Sequence, residues 1–191
     1  MKVRESGMPE KVVWEKFFDS KAILATLGLD DSVCNVAELG CGYGTFTIPT
    51  AETVKGIVYA FDIEHEMVGA TKNAAEKKRL SNIKTILRDF VEQDTGLKDE
   101  SVDYVMLFNI LHIEHPEKLL REAWRILKKE GRIGIIHWNY DVSTPRGPSM
   151  AIRPKPEQCI AWALASGFYQ PHQFDLKPYH YGIVMRRRCR E

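Results

Sequence analysis

Short apolar runs separated by longer stretches of mixed polarity set the rhythm of this chain. The runs at 33–39, 57–61, 83–87, 101–108 and 132–138 are each closed by glycine or polar residues, and each reads as a buried strand. Helical spacing fills the intervals, at about 45–54, 65–78, 116–129 and 157–166. In the third of these, Leu119, Leu120, Ala123, Ile126 and Leu127 share one face, and Gly131 follows as a stop. Pro49 predicts a kink in the first. Runs at 168–176 and 179–186 read as a closing hairpin. Strand–helix alternation five times over, then a hairpin, predicts an α/β chain with a mostly parallel sheet. Right-handed crossovers then put helices on both faces.

The two ends of the chain break this rhythm. Residues 1–32 read as a helical cap that starts at Met8-Pro9 and carries Val12, Val13, Trp14, Phe17 and Phe18. A second short helix, about 21–27, is stopped by Gly28. Trp14, Phe17 and Phe18 fit either packing at the sheet edge or an aromatic lid over a ligand. Residues 139–156 hold four prolines with Ser, Thr and Gly, and a connection of that length in a compact domain is usually functional. No repeat or low-complexity segment interrupts the chain, so one domain over 1–191 is expected, with the core at 33–191.

Composition narrows the function classes. With 44% hydrophobic and 28% charged residues and a net charge of +1, bulk electrostatics give no case for nucleic-acid binding. The basic run from Arg186 to Arg190 reads as a solvated chain end. Cys34, Cys41, Cys159 and Cys189 form no C-x-x-C pair, which argues against a disulfide framework or zinc site and for a reducing cytoplasm. No run approaches 18 apolar residues, so no membrane insertion is expected.

The chemistry concentrates at Glu38-Leu39-Gly40-Cys41-Gly42-Tyr43-Gly44-Thr45. Three glycines at alternate positions end the first strand, where positive φ and close backbone approach to a ligand are needed. A dinucleotide fingerprint would place glycine at 45, and the residue there is Thr45. Glu38 lies two residues before the first glycine, which suits a ligand with a cationic part better than a pyrophosphate. An NAD(P)-dependent oxidoreductase is disfavoured on both counts. Asp62, at the end of the second strand and 22 positions after Gly40, is placed to hold a ribose diol or to cap the next helix.

Glu38, Gly40, Gly42 and Gly44 resemble the E/D-x-G-x-G-x-G signature of class I, Rossmann-like S-adenosylmethionine-dependent methyltransferases. The resemblance implies a three-layer Rossmann-like sheet of about seven strands with one antiparallel strand. It implies S-adenosylmethionine as cofactor, held by Glu38, Gly40, Cys41, Gly42, Tyr43, Gly44, Asp62, Ile63, Met67, Asp89, Phe90 and Asn109. In that family Asp89 would take the adenine amino group, and the next backbone amide would meet a ring nitrogen. The stretch from Phe108 to Ile113, with Leu119 to Lys128, is similar to the subgroup that includes ubiquinone/menaquinone-pathway methyltransferases.

Methyl transfer needs a positioned nucleophile, exclusion of water and, for some acceptors, a proton sink. His112, after the fourth strand, is the candidate base, with a hydrogen-bonded structural histidine as the alternative. His137, Trp138 and Tyr140 are pocket candidates at the end of the fifth strand. His112, His115 and Glu114 lack metal-ligand spacing, so no metal is expected, and no cysteine cluster suggests arsenite as substrate. The expected partner is a small-molecule acceptor. A module that binds the cofactor without transferring its methyl group is the alternative.

Overall fold

A computed structural model describes residues 9–188. The helix start at Met8 and the basic tail at Cys189 and Arg190 fall outside those residues. Seven strands form one sheet: β1 (Val36–Leu39), β2 (Val58–Asp62), β3 (Ile83–Leu87), β4 (Val102–Phe108), β5 (Leu127–Trp138), β6 (Phe168–Leu176) and β7 (His180–Arg187). Their order is β3-β2-β1-β4-β5-β7-β6, and β7 alone runs against the rest. The order turns back between β1 and β4, so the loops after them part and leave a crevice at their carboxyl ends.

Side chains alternate between two cores, as the period of a strand requires. Ala37, Leu39, Phe61, Val105, Leu107, Ile133 and Ile135 pack on one face with Leu119, Leu120, Ala123 and Ile126 of α5 (Pro116–Ile126). Val36, Val58, Tyr104, Met106, Phe108 and Ile136 pack on the other, with Ile23 and Leu24 of α2 (Ser20–Thr26) and with Phe46. Tyr104 fits because a glycine stands on the neighbouring strand two positions past its ladder partner Arg132: a Cβ on Gly134 would lie 2.3 Å from the Tyr104 hydroxyl. That buried hydroxyl donates to Leu27 O at 3.0 Å and so ties β4 to the chain end of α2.

Three boundaries differ from the sequence reading, each for a local reason. The N-terminal cap is one turn of α-helix, α1 (Lys11–Trp14), then a 3-10 turn over Glu15–Phe17, and Phe18 is extended. Asp19 starts α2 by accepting the Ala22 amide at 3.1 Å. The helix after the glycine loop is α3 (Thr47–Thr53), so Pro49 falls in its first turn, where no intrahelical N–H is missed and no kink is needed. The helix predicted at 116–129 stops at Ile126. The amides of Glu100 and Ser101 take the carbonyls of Arg125 and Ile126 at 3.0 and 2.8 Å, and this draws Leu127 into the sheet beside Val102.

The long connection, residues 139–155, is wrapped around one buried side chain. Arg153, 7% exposed, donates to the carbonyls of Asn139, Asp141, Arg146 and Pro148 at 2.8–3.2 Å and to the Thr144 hydroxyl. Those bonds keep a buried charge satisfied, with no carboxylate among the described residues within ion-pair distance. The loop then leads into α6 (Pro156–Ala165).

Candidate active site

At the carboxyl ends of β1, β2 and β4 a cavity opens between the glycine loop and the 139–155 connection. The backbone of β1 sets its floor. Beyond Leu39 the amides of Gly40 and Cys41 both donate to Phe61 O, at 2.9 and 2.8 Å, and the chain turns through Gly40, Gly42 and Gly44 at φ 88°, 53° and 79°. A Cβ on Gly40 would stand 2.8 Å from Ile110, and one on Gly44 would press on Thr71 at 3.0 Å. Thr71, from α4 (His65–Lys77), donates to Gly42 O at 2.8 Å and fixes the loop from behind.

Two acids face this loop. Glu38 is buried and accepts the Thr47 hydroxyl from the first residue of α3. Burial pushes its carboxyl up to about 8, against the pull of the Thr47 bond and with help from the nearby Asp62 charge. Asp62 accepts the Gly42 amide at 2.9 Å through one oxygen and the Glu64 amide at 3.0 Å through the other. Burial also raises its carboxyl above the usual range, and those two bonds oppose the rise. Asp62 is therefore a brace for the glycine loop and an acid in the cavity wall rather than a cap of the next helix. α4 itself begins without a side-chain cap.

Of the expected contact residues, Glu38, Gly40, Cys41, Gly42, Asp62, Ile63, Met67, Phe90, Asn109 and His112 line this one cavity. Tyr43 and Gly44 line a neighbouring surface groove with Lys11 and Glu52 instead. Asp89 stays in the turn after β3, where its carboxylate accepts the amides of Val91 and Glu92 at 3.2 and 3.1 Å; Phe90 and Val91 reach the cavity in its place. The Cys41 thiol is buried and its ionisation is suppressed by burial, so it fills space. Trp138 is in the wall, Tyr140 borders an adjoining cleft, and His137 sits behind His112.

Sequence reasoning missed several wall residues. Thr45, Phe46, Glu64, Ile110, Ile113 and the segment Arg146-Gly147-Pro148 all border the cavity. Thr45 and Phe46 adjoin the glycines and were within reach. Arg146 to Pro148 arrive only because Arg153 folds the loop back, and no local pattern signals that. From the N-terminal segment Trp14 lines the cavity, 6.3 Å from Trp138 between ring centres, while Phe17 packs on Trp138 and Phe18 on Phe46 and His180. Phe17 and Phe18 thus pack against the sheet side, and of the three Trp14 alone borders the cavity.

The cavity also holds buried polar atoms with no hydrogen-bond partner among the described residues: both side-chain heteroatoms of Asn109 and the hydroxyl of Thr45. Asn109 adopts φ 56°, a conformation uncommon for a residue with a side chain and concentrated at functional sites. Buried polar atoms are ordinarily satisfied. Among the described residues no group of three or more His, Cys, Asp or Glu is placed to hold a metal ion.

Comparison with known proteins bears on this site. Residues 30–165 match the model of a methyltransferase domain family, and the chain belongs to that family. It is 36% identical over 97 residues to the ubiquinone/menaquinone biosynthesis C-methyltransferase of Bartonella henselae, covering 49% of this chain and 36% of the relative. The chain thus spans about a third of that relative's length. A S-adenosylmethionine-dependent methyltransferase from Aquifex aeolicus superposes with a TM-score of 0.82 at 24% identity, covering 93% of both chains. The [4+2]-cyclase SpnF superposes at 0.77 with 14% identity over 97% of this chain and 84% of its own, so likeness of fold alone does not set the reaction. Family membership indicates S-adenosylmethionine as the cofactor.

Proposed function

We propose that the protein transfers a methyl group from S-adenosylmethionine to a small-molecule acceptor. The observation that carries the proposal is the joint presence, in one cavity, of two desolvated acids on a braced glycine loop and of the unpartnered Asn109 and Thr45. The cofactor supplies a methyl group already activated on a sulfonium, so the chain's work is to bind, orient and exclude water. Glu38 holds the cationic amino-acid end. Asp62, whose carboxylate oxygens can each accept more than one hydrogen bond, takes the ribose hydroxyls. Phe90 and Val91 with Met67 form the apolar slot for adenine, and Asn109 meets polar atoms of the ligand at the tip of β4.

The acceptor side is bounded by Trp14, Phe108, His112, Ile113, Trp138 and Pro148, a mostly apolar and aromatic lining that fits a small, largely apolar acceptor. The similar ubiquinone/menaquinone biosynthesis C-methyltransferase of Bartonella henselae and 2-methoxy-6-polyprenyl-1,4-benzoquinol methylase of Arabidopsis thaliana favour the same class. Free thiols at Cys34, Cys41 and Cys159 accord with a cytoplasmic protein, and no described helix is long and apolar enough to cross a membrane.

Calorimetric titration with S-adenosylmethionine, S-adenosylhomocysteine and NAD tests the cofactor. Binding of the first two and not the third is expected; tight NAD binding with silence toward the sulfonium compound overturns the proposal. A screen of small quinols and phenols with methyl-labelled S-adenosylmethionine then separates a transferase from a module that only binds.

A further inference from the structure

The wall of the cavity is charged unevenly. Among the described residues that line it, the carboxylates are Glu38, Asp62 and Glu64, and all three stand at the ends of β1 and β2, on the cofactor side. The opposite side is formed by the ends of β4 and β5 and by Arg146-Gly147-Pro148, and it has none. Glu114 borders the adjoining cleft and not this cavity. What the 139–155 loop brings instead is positive charge: it carries Arg146, Arg153 and Lys155 against Asp141 alone.

Arg153 is the unusual member of that set. It is buried, and a Cβ on Gly147 would lie 2.9 Å from its Nη2, so the guanidinium stands directly behind a glycine of the cavity wall. Its partners are carbonyl oxygens and a hydroxyl, which satisfy its N–H groups but bring no net charge to cancel its own. The acid whose charge reaches it, Asp141, is exposed and accepts the Ser143 amide at 2.8 Å. Burial draws the pKa of Arg153 down, yet a guanidinium keeps its proton in a protein. Its charge reaches the neighbouring strands, where it adds to the effect of burial in holding His137 and His180 neutral. An uncancelled charge behind a wall that excludes water acts more strongly than one in solvent. Arg146 carries the same sign to the exposed rim, with no carboxylate paired to it among the described residues.

We propose that this side of the cavity selects an anionic methyl acceptor, a small aromatic molecule with a carboxylate or an ionised phenol, its charge turned toward Arg146 and Gly147. This names the acceptor class for the function proposed above and rests on it. Glycine at 147 is part of the device. A side chain there would press on Trp138 at 2.8 Å and stand between the ligand and Arg153. Trp14 and Trp138 offer the ring of such a molecule an aromatic surface. A protonated amine fits poorly on two counts. It meets like charge, and no carboxylate stands on that side, among the described residues, to take its proton. Acids on one wall and cations on the other thus sort the two reactants, sulfonium to the first and anion to the second.

The test is calorimetric titration of the full chain with benzoate, benzamide and benzylammonium, similar in shape and different in charge, each with and without S-adenosylhomocysteine. Benzoate is expected to bind about tenfold more tightly than benzamide at low salt, with benzylammonium weakest, and added salt is expected to narrow the gap. Arg146→Gln is expected to cut the preference for benzoate severalfold while benzamide is unmoved, and Arg146→Glu to put benzylammonium ahead of benzoate. Arg146 is exposed, so both variants are expected to fold. Benzoate bound no more tightly than benzamide, or undetected at millimolar concentration, overturns the proposal, as does a preference that neither Arg146 variant alters. Absent binding of S-adenosylhomocysteine counts against the methyltransferase reading instead. The charge order of the probes is read without that compound too, so the two failures are distinguishable.

Discussion

The role proposed for Glu38 makes cofactor affinity depend on pH, in a direction set by its raised carboxyl. Its carboxyl is raised to about 8 by burial, so at neutral pH the free protein holds it mostly protonated. A cationic amino group binds the carboxylate and not the acid. The complex therefore draws on the ionised fraction, and the apparent dissociation constant is the intrinsic one divided by that fraction. At pH 7 the fraction is about one-tenth and at pH 6 about one-hundredth, each pH unit amounting to about 1.4 kcal/mol. The α-amino group of the ligand loses its own proton near about 8, so the readable window is about pH 5.5 to 7.5. Across it the affinity for S-adenosylmethionine is expected to rise about tenfold per pH unit, with close to one proton released per complex. Calorimetry in two buffers of different ionisation heat counts that proton. Stability of the free protein moves the other way. A raised acid keeps in the native state a proton that the unfolded chain has lost, so this contribution is present at low pH and fades as pH climbs toward 8. Glu38→Gln is expected to flatten both dependences at a fixed, weak affinity. A flat affinity from pH 5.5 to 7.5 in the parent protein, without proton release, refutes the role given to Glu38.

Four further outcomes are expected. Asp62→Ala removes a charged hydrogen-bonding group from the ligand and the brace on Gly42, and cofactor affinity is expected to fall by about 1.5–3 kcal/mol in calorimetry while circular dichroism stays native. Gly40→Ala forces a side chain at φ 88° and 2.8 Å from Ile110; loss of most cofactor binding in a folded protein is expected. Glu122→Gln breaks a network in which Glu122 takes the Thr95 amide at 2.8 Å and pairs with Arg125 at 2.7 Å. Burial works against that carboxylate, yet Arg125 and Thr95 hold it below the usual range, so its stabilisation is full above the ordinary glutamate pKa and lost as pH falls through the native value. Chemical denaturation is expected to show about 1–3 kcal/mol lost at pH 7 and less in acid. Trp14→Ala is expected to lower methyl transfer more than cofactor affinity, since Trp14 meets the cavity beside Trp138.

The parts of this site that the chain spells out locally were legible before the structure. Alternating glycines after an apolar run and acids at the ends of successive strands are short-range patterns, and they located Glu38, Gly40, Gly42 and Asp62 in one cavity. A mostly parallel sheet covered on both faces followed from the alternation and from handedness. What stayed hidden depends on distant chain. Asp89 and Tyr43 were assigned by position, but Asp89 turns to its own loop's amides and Tyr43 to a groove beside Lys11. The end of the helix predicted at 116–129 and the start of the fifth strand shifted because Glu100 and Ser101, just before β4, reach the helix carbonyls, a competition that helical periodicity does not register. The His137–His112 contact joins residues from two strand ends and needed the sheet to bring them together.

The way the 139–155 loop is held bears on how such a protein acquires new acceptors. Arg153 grips main-chain carbonyls, a feature every residue possesses, and only Thr144 contributes a side chain. The shape of the loop is thereby uncoupled from most of its letters. Exposed positions such as Val142, Ser143, Pro145 and Arg146 are open to mutation while the contour over the cavity persists. Selection, natural or in the laboratory, can rewrite what the mouth of the site recognises without first solving the folding problem again.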